Sequence, residues 1–576
     1  MDYRVIYDNW ITSPYLCAEG LAELTAIKDD PKEIEYAFGA ELEFGTAGMR
    51  GLIGYGTNKM NIYTVRRATQ GLAEFIKANG PQAMRRGVAI SYDTRNKSTE
   101  FAKASAGVLL ANGIKDYIYP EPRPVPMLSY AVRKTNAFAG IMITASHNPK
   151  EYNGYKVYGE DGAQMSPEAT AEVVKYISAI TDYFSVKEAE IKGIAPRNSS
   201  ENLVVLGKFF ERGYYNEILK LTLSPKAVKK VGKAIRIVYT PVHGSGYVPV
   251  TTILKKMKIN ATVVEEQAKP DINFSTVAVP NPEFKETLSM GIALADKIKA
   301  DVVFGTDPDC DRLGVAIRDD KGEFFALTGN QTGILLLDYI LQRMKTENKL
   351  PANGVVVKSF VSTGMAKLIC QGYGVELVET PVGFKFIGEK IKEYEKTGAK
   401  TFLFGFEESC GYLRGTHARD KDAVVASMLF AEMCCYYQYI GKTVYGRLCE
   451  IYEKFGYVLD ETDSIKYSGL SAMSEMNAAV DRMRGKAVSS IGIFAVDAVR
   501  DYLSGVRTCG KDTVALDIKG VNCLYYELQI GGFICLRPSG TEPKLKIYYS
   551  VRAKDKERAE KELAELKENF NKMLAE

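Results

Sequence analysis

Ile141-Met-Ile-Thr-Ala-Ser-His-Asn-Pro149 is a short apolar run that passes straight into a polar loop. The apolar part reads as a strand, and Pro149 discourages both continuation of that strand and helix at Asn148. Ser146 is therefore expected on a loop at the carboxyl end of a strand, where open α/β sheets hold ligands. Ser146 beside His147 is not a hydrolase dyad, because no G-x-S-x-G elbow surrounds it. Taken alone, the stretch fits a helix-capping serine in a polar loop equally well.

The same order, apolar strand, Gly-rich or polar loop, then helical pattern, recurs along the chain. Gly87-Val-Ala-Ile-Ser-Tyr-Asp93, Ile235-Arg-Ile-Val-Tyr-Thr240, Asp301-Val-Val-Phe-Gly305 and Gly354-Val-Val-Val-Lys358 are examples. Strands alternating with helices predict α/β layers on largely parallel or mixed sheets. A chain of 576 residues is too long for one core, and its length suggests about three to five domains. Boundaries are expected near the polar stretches 195–203, 319–323 and 455–465. Ala559, Leu563, Leu566, Phe570 and Met573 recur at helical spacing, which predicts a terminal helix packed on its own domain.

Composition narrows the class. The chain is 46% hydrophobic and 25% charged, and 75 basic against 71 acidic residues leave a net charge of +4. Nothing in that balance calls for nucleic acid, although a local basic cleft for a small anion stays open. The start, Met1 to Leu16, has neither a basic nor an apolar segment of the secretory kind. Ala426 to Tyr437 is the most apolar helical stretch, but Glu432 interrupts it and it is too short to span a bilayer. Ten cysteines without a C-x-x-C pair fit neither a zinc ribbon nor a disulfide framework. The expectation is a cytoplasmic protein with free thiols and no membrane or nucleic-acid partner. Its oligomeric state, monomer or dimer, cannot be inferred from sequence.

Three further loops carry chemistry. In Thr306-Asp-Pro-Asp-Cys-Asp-Arg312 the alternating Asp307, Asp309 and Asp311 can converge on one hard cation. Three close carboxylates repel unless positive charge sits among them, and oxygen ligands suit Mg²⁺. The glycine and distant glutamate of an EF-hand are missing; a plain solvated turn would more often mix in Asn, Gly and Ser. In Gly405-Phe-Glu-Glu-Ser-Cys-Gly-Tyr412, two carboxylates and a serine can bind vicinal hydroxyls. The following Thr416-His-Ala-Arg-Asp-Lys-Asp422 brings His417, Arg419 and Lys421 toward the same place. A solvated charged turn also explains this stretch. Leu536-Arg-Pro-Ser-Gly-Thr-Glu-Pro-Lys544 lies between two strand patterns. Arg537 can grip a phosphate bidentately, Ser539 and Thr541 add hydroxyls, and Gly540 lets backbone N–H groups approach an anion. An ordinary hairpin explains the glycine but not the rest. His147, His243 and His417 are the chain's three histidines; His243, alone in another loop after a strand, carries little weight.

In this order the four loops resemble the α-D-phosphohexomutase superfamily, the phosphoglucomutases and phosphomannomutases. The likeness spans nearly the whole chain, with Phe44-Gly-Thr-Ala-Gly-Met-Arg-Gly51 and Thr380-Pro-Val-Gly-Phe-Lys385 adding two further family loops. It implies three similar mixed-sheet α/β domains plus a smaller C-terminal α+β domain around a central cleft, divided as 1–203, 204–321, 322–458 and 459–576. It implies an isomerase, an intramolecular phosphotransferase, that interconverts glucose 1-phosphate and glucose 6-phosphate. Ser146 would be the phosphoserine, and with Asp307, Asp309 and Asp311 would bind Mg²⁺. Arg50, His147, Lys156 and Arg312 would line the reacting phosphate, and Lys421 would be the acid/base lysine. Thr380, Gly383, Glu407 and Ser409 would bind the sugar, while Arg537, Ser539, Gly540 and Thr541 would hold the phosphate not in transfer. Glucose 1,6-bisphosphate would be the intermediate and activator.

Here the chain carries Tyr412 where phosphomannomutase-type members have a histidine, so the glucose or pentose branch fits better. Mannose or pentose phosphate remains the alternative substrate, and a non-catalytic phosphosugar sensor the alternative role. A retired enzyme commonly loses its nucleophile or metal ligands, and all four are present. An aspartyl phosphatase is disfavoured, since Asp309 is followed by Cys-Asp-Arg. No Walker A motif exists, because Gly441-Lys-Thr443 lacks the upstream glycine.

Overall fold

In a computed structural model the chain is described over residues 2–45, 48–468, 471–539 and 543–576. It divides into two compact units. The first comprises 1–327, 387–397 and 410–440, and the second 328–386, 398–409 and 441–576.

The first unit contains two sheets. Its seven-stranded sheet is ordered Phe44–Gly45, Gly48–Leu52, Tyr152–Tyr158, Ala139–Ile143, Val88–Tyr92, Asp116–Ile118, Leu203–Val205. Val88–Tyr92 and Ala139–Ile143 run parallel and are buried along their whole length, as strands covered by helices on both faces must be. The three strands on the other side of Ala139–Ile143 are antiparallel additions, so the sheet is mixed. Ile90, Ile141, Ile143, Leu72, Ile76 and Leu109 close the core, each fully buried. Every such side chain contributes about 1.5–3 kcal/mol of burial free energy. Before this sheet, Trp10 packs edge-on against Phe38, Tyr63 and Phe184 and seats the N-terminal helices.

The second sheet has five strands in the order Phe324–Leu327, Leu313–Arg318, Val302–Thr306, Arg236–Thr240, Asn260–Val263. The polar stretch 319–323 is the turn of its Leu313–Arg318/Phe324–Leu327 hairpin, closed by Asp319 N–H donating to Glu323 O at 2.9 Å. The helix Ala423–Tyr439 belongs to this unit, and the sequence feature that interrupts its apolar run has a structural answer. Glu432 is fully buried and its carboxylate accepts the backbone N–H groups of Leu223 and Ser224. No single helix among the described residues is long and apolar enough to cross a membrane.

In the second unit, Glu376–Thr380, Gly354–Ser359 and Thr401–Glu407 form parallel neighbours. The C-terminal sheet is antiparallel, ordered Tyr457–Lys466, Lys544–Ala553, Phe533–Pro538, Leu524–Leu528, Phe494–Asp501, Val506–Cys509, Asp512–Ala515. The helix Lys556–Ala575 lies on it through Ala559, Leu563, Leu566, Phe570 and Leu574. Leu574 completes that buried stripe, whereas Met573 is only partly covered, because the i+4 step from Phe570 points inward and the i+3 step falls at its margin. α/β layers are present as the strand–loop–helix pattern predicts, and three of them followed by a C-terminal α+β layer is the arrangement the family resemblance implies.

Candidate active site

The loop after Ala139–Ile143 carries Ser146 at the carboxyl end of its strand. Ser146 is nearly buried and its backbone is left-handed, with φ +53°. Its N–H donates to Thr144 Oγ1 at 2.8 Å, and its Oγ lies 3.2 Å from His147 Nδ1. The same Oγ donates to Asp307 Oδ2 at 3.2 Å. The antiparallel strand Tyr152–Tyr158 returns beside the loop and brings Lys156 level with Met142. Gly154 makes that approach possible, since a Cβ there would sit 2.5 Å from the Thr144 carbonyl oxygen. One strand further out, Arg50 is paired with Gly154, and its Nη1 donates to Asn148 Oδ1 at 2.9 Å.

The acidic loop follows the buried strand Val302–Thr306. Asp307 Oδ1 accepts the N–H groups of Asp311 and Arg312, both at 3.1 Å, which curls the loop around its first carboxylate. One oxygen from each of Asp307, Asp309 and Asp311 falls within 4.8 Å of the others, and all three residues are buried. Such crowding needs compensation. Lys156 Nζ lies 3.0 Å from Asp309 Oδ2. Lys421 Nζ lies 3.0 Å from Asp311 Oδ2 and 3.1 Å from Asp420 Oδ1. Arg312 pairs with Glu283 and sets its Nε 3.9 Å from Asp311 Oδ1.

Burial, and then the neighbouring Asp309 and Asp311, push the Asp307 carboxyl well up. Asp309 is held low by Lys156 in spite of its burial. Burial, followed by Arg312 and Arg50, pushes His147 well below the usual imidazole range, so its ring is neutral near pH 7. Asp309 Oδ1 and Asp311 Oδ1 are buried without a hydrogen-bond partner. Two orphaned carboxylate oxygens beside a third carboxylate make a donor set that fits a hard divalent cation.

The second unit holds a separate group. Glu407 closes the strand Thr401–Glu407, and its Oε1 accepts the Gly383 N–H at 2.7 Å. Gly383 has φ +125°, a conformation that favours glycine. Thr380 ends the edge strand Glu376–Thr380, on the far side of Gly354–Ser359, and donates its hydroxyl to Lys358 O at 3.3 Å. Ser409 lies in the turn after Glu407. Arg537 sits on Phe533–Pro538, within electrostatic reach of Tyr548 and Glu408. Ser539 N–H donates to Lys544 O at 2.9 Å, which starts the hairpin connection. Gly540 and Thr541 lie outside the described residues.

The loop that follows the sugar-type motif divides its cations. Lys421 reaches the acidic cluster, whereas His417 Nε2 meets Asp422 Oδ2 at 2.7 Å and the guanidinium of Arg419 pairs with Glu395. His243 bonds Lys269 O and Thr276 Oγ1. Sequence reasoning missed four residues of this neighbourhood. Asp93 and Arg95 follow the strand Val88–Tyr92 directly and reach under the Ser146 loop together with Thr144. Asp420 fixes Lys421 and accepts the Tyr158 hydroxyl at 2.9 Å. Asp93-Thr-Arg95 after the mostly apolar strand Val88–Tyr92 was the available signal, since that position in an α/β sheet faces the ligand end.

Comparison with known proteins finds similarity along most of the chain. Three models of the phosphoglucomutase/phosphomannomutase α/β/α domains match in order, domain I over 41–184, domain II over 212–322 and domain III over 328–455. A phosphoglucomutase of Staphylococcus haemolyticus is 36% identical over 521 residues, covering 90% of this chain and 91% of that protein. Among solved structures, a putative phosphomannomutase from Thermus thermophilus superposes with a TM-score of 0.67 at 23% identity, covering 93% of this chain and 100% of the other. The open form of pp63/parafusin, a phosphoglucomutase from Paramecium, gives 0.68 at 16% identity, covering 93% and 95%.

Proposed function

We propose that this chain, which belongs to the phosphoglucomutase/phosphomannomutase family of mutases, interconverts glucose 1-phosphate and glucose 6-phosphate through a phosphorylated Ser146. The observation that carries the reading is the Ser146 Oγ, 3.2 Å from Asp307 Oδ2 and beside a buried carboxylate triad with two orphaned oxygens. The curated name of a relative covering nine-tenths of the chain supports glucose over mannose or pentose phosphates and supports catalysis over sensing.

Phosphoryl transfer demands positioning and charge neutralisation more than covalent chemistry from the protein. A free hydroxyl of the sugar monophosphate attacks the Ser146 phosphate. Its new O–P bond forms as the Ser146 Oγ–P bond breaks, giving glucose 1,6-bisphosphate. Lys421, or Lys156 from the other side, exchanges the hydroxyl proton. Arg50 and Arg312 line the phosphate in transfer, and His147 offers it a hydrogen bond. Asp307, Asp309, Asp311 and the Ser146 phosphate are the proposed holders of Mg²⁺, which when bound supplies positive charge to the phosphate oxygens. The bisphosphate turns over and returns its other phosphate to Ser146. Glu407 and Ser409, with Thr380 and Gly383, hold sugar hydroxyls in either orientation. Arg537, Ser539, Gly540 and Thr541 hold the phosphate not in transfer.

Activation by glucose 1,6-bisphosphate and action in the cytoplasm belong to the same proposal, the latter supported by ten cysteines without a disulfide or zinc spacing. So does the four-domain division at 203, 321 and 458, with the middle cut best moved to 327, where the hairpin ends. A coupled assay run in parallel on glucose 1-phosphate, mannose 1-phosphate and ribose 1-phosphate tests the reading. The highest kcat/KM is expected on glucose 1-phosphate; a clear preference for either of the others reassigns the substrate.

A further inference from the structure

Arg95 does not touch Ser146 Oγ, yet it holds most of the loop on which Ser146 rides. Its side chain is wholly buried. Nη2 donates to the carbonyl oxygens of Ser146 and Asn148, and Nη1 donates to those of Pro149, at 2.9 Å, and Tyr152, at 3.2 Å. One guanidinium thus gathers four carbonyls from a stretch of seven residues, which only a planar fork with several donors can do. The Phe274 ring covers its face at 5.1 Å from ring centre to guanidinium carbon.

Asp93 joins this grip to a second one. Its Oδ2 lies 3.3 Å from Arg95 Nε and accepts the Thr144 hydroxyl at 2.6 Å. Its Oδ1 accepts Arg95 N–H at 3.0 Å and Ser98 Oγ at 2.7 Å. Thr144 Oγ1 in turn accepts the Ser146 N–H at 2.8 Å. Both backbone polar groups of Ser146 are therefore tied to one buried carboxylate, the N–H through Thr144 and the carbonyl through Arg95. Between these ties Ser146 holds φ +53°, a conformation that residues other than glycine seldom adopt and that persists where the surroundings impose it.

We propose that Asp93, Arg95 and Thr144 form a buried clamp that fixes Ser146 in its left-handed conformation and so act as positioning residues for phosphoryl transfer. The inference rests on the reading of Ser146 as the phosphate carrier. On that reading the Ser146 side chain gains and loses about two negative charges in every cycle, and the clamp keeps the loop from following those changes. None of these ties uses Ser146 Oγ, so a phosphate on that oxygen takes no hydrogen-bonding group away from the clamp.

The test compares Thr144→Val, which keeps shape and deletes the hydroxyl, with Thr144→Ser, which restores it. Each protein is first charged with glucose 1,6-bisphosphate, and phosphate on the Ser146 peptide is measured by mass spectrometry. Single-turnover transfer to glucose 1-phosphate is then timed, with steady-state KM alongside. Thr144→Val is expected to transfer about 10- to 100-fold more slowly, the scale of a reacting group displaced by an ångström or less, with KM within about twofold and Thr144→Ser within about threefold of the parent. Equal rates in all three proteins, or equal losses in both variants, overturn the clamp. If Thr144→Val does not accumulate as folded protein, Arg95→Lys is read in the same way: a slowed transfer at unchanged KM supports the clamp, and a parental rate overturns it. A parent that never carries phosphate on Ser146 instead refutes the carrier reading itself, which separates the two failures.

Discussion

Replacing Lys156 by methionine probes how the acidic triad is held together before any cation arrives. Lys156 Nζ and Asp309 Oδ2 are 3.0 Å apart, with side-chain exposures of 10% and 0%. At an effective dielectric constant of about 20, a pair at that separation attracts by roughly 5–6 kcal/mol. Removing the ammonium leaves a buried carboxylate beside two others, and uncompensated charges of this kind cost about 3–5 kcal/mol. Lys421 keeps its pairs with Asp311 and Asp420, so part of the compensation survives. The expected loss for Lys156→Met is therefore about 3 kcal/mol, near the lower end of that range. The assay is urea unfolding with chelator and then with Mg²⁺. A cation bound only by the folded protein stabilises by about 2.7 kcal/mol at a hundredfold excess over its Kd. Because the variant has one more unbalanced charge in the triad, Mg²⁺ should recover more stability in it than in the parent. A variant within about 1 kcal/mol of the parent in chelator, below the ordinary cost of breaking a buried pair, or an equal Mg²⁺ effect on both proteins, refutes this account of the triad.

Two further outcomes are expected. Burial pushes the Asp116 carboxyl well above its ordinary value, and neither of its oxygens has a hydrogen-bond partner. The unfolded chain releases this proton near pH 4 while the folded chain keeps it, so stability falls by about 1.4 kcal/mol per pH unit above that point until the folded carboxyl ionises. Asp116→Asn should therefore be the more stable protein near neutrality and lose its advantage near pH 4; a difference in melting that does not vary with pH contradicts this. Arg537→Lys exchanges a bidentate fork for a point charge, so KM for glucose 1-phosphate should rise about tenfold with a smaller change in kcat. A fall in kcat at constant KM would place Arg537 elsewhere in the cycle.

The strands beside the chemistry were legible because each is a continuous apolar run closed by a polar loop: Val88–Tyr92, Ala139–Ile143 and Val302–Thr306 appear where Gly87–Asp93, Ile141–Pro149 and Asp301–Gly305 predict them. The convergence of Asp307, Asp309 and Asp311 was also local, a matter of alternation along one loop. Pairing between distant segments was not legible. That Lys156 meets Asp309, or that Arg95 reaches the carbonyls of residues 146–152, depends on sheet order and register, which composition does not encode. Cations adjacent in sequence misled for the same reason: on one short loop, Lys421 turns to the triad while His417 and Arg419 serve Asp422 and Glu395. The partners of Glu432 were out of reach in the same way, since this charge inside an apolar helix is buried against two backbone N–H donors more than 200 residues away in sequence.

The most direct measurement is the mass of the peptide containing Ser146 after incubation with glucose 1,6-bisphosphate and again after addition of excess glucose 1-phosphate. The account predicts one added phosphate on Ser146 in the first sample, its turnover through the sugar in the second, and neither phosphate nor mutase activity in Ser146→Ala. An active enzyme whose Ser146 is never phosphorylated, or a Ser146→Ala protein that still converts glucose 1-phosphate, would contradict it.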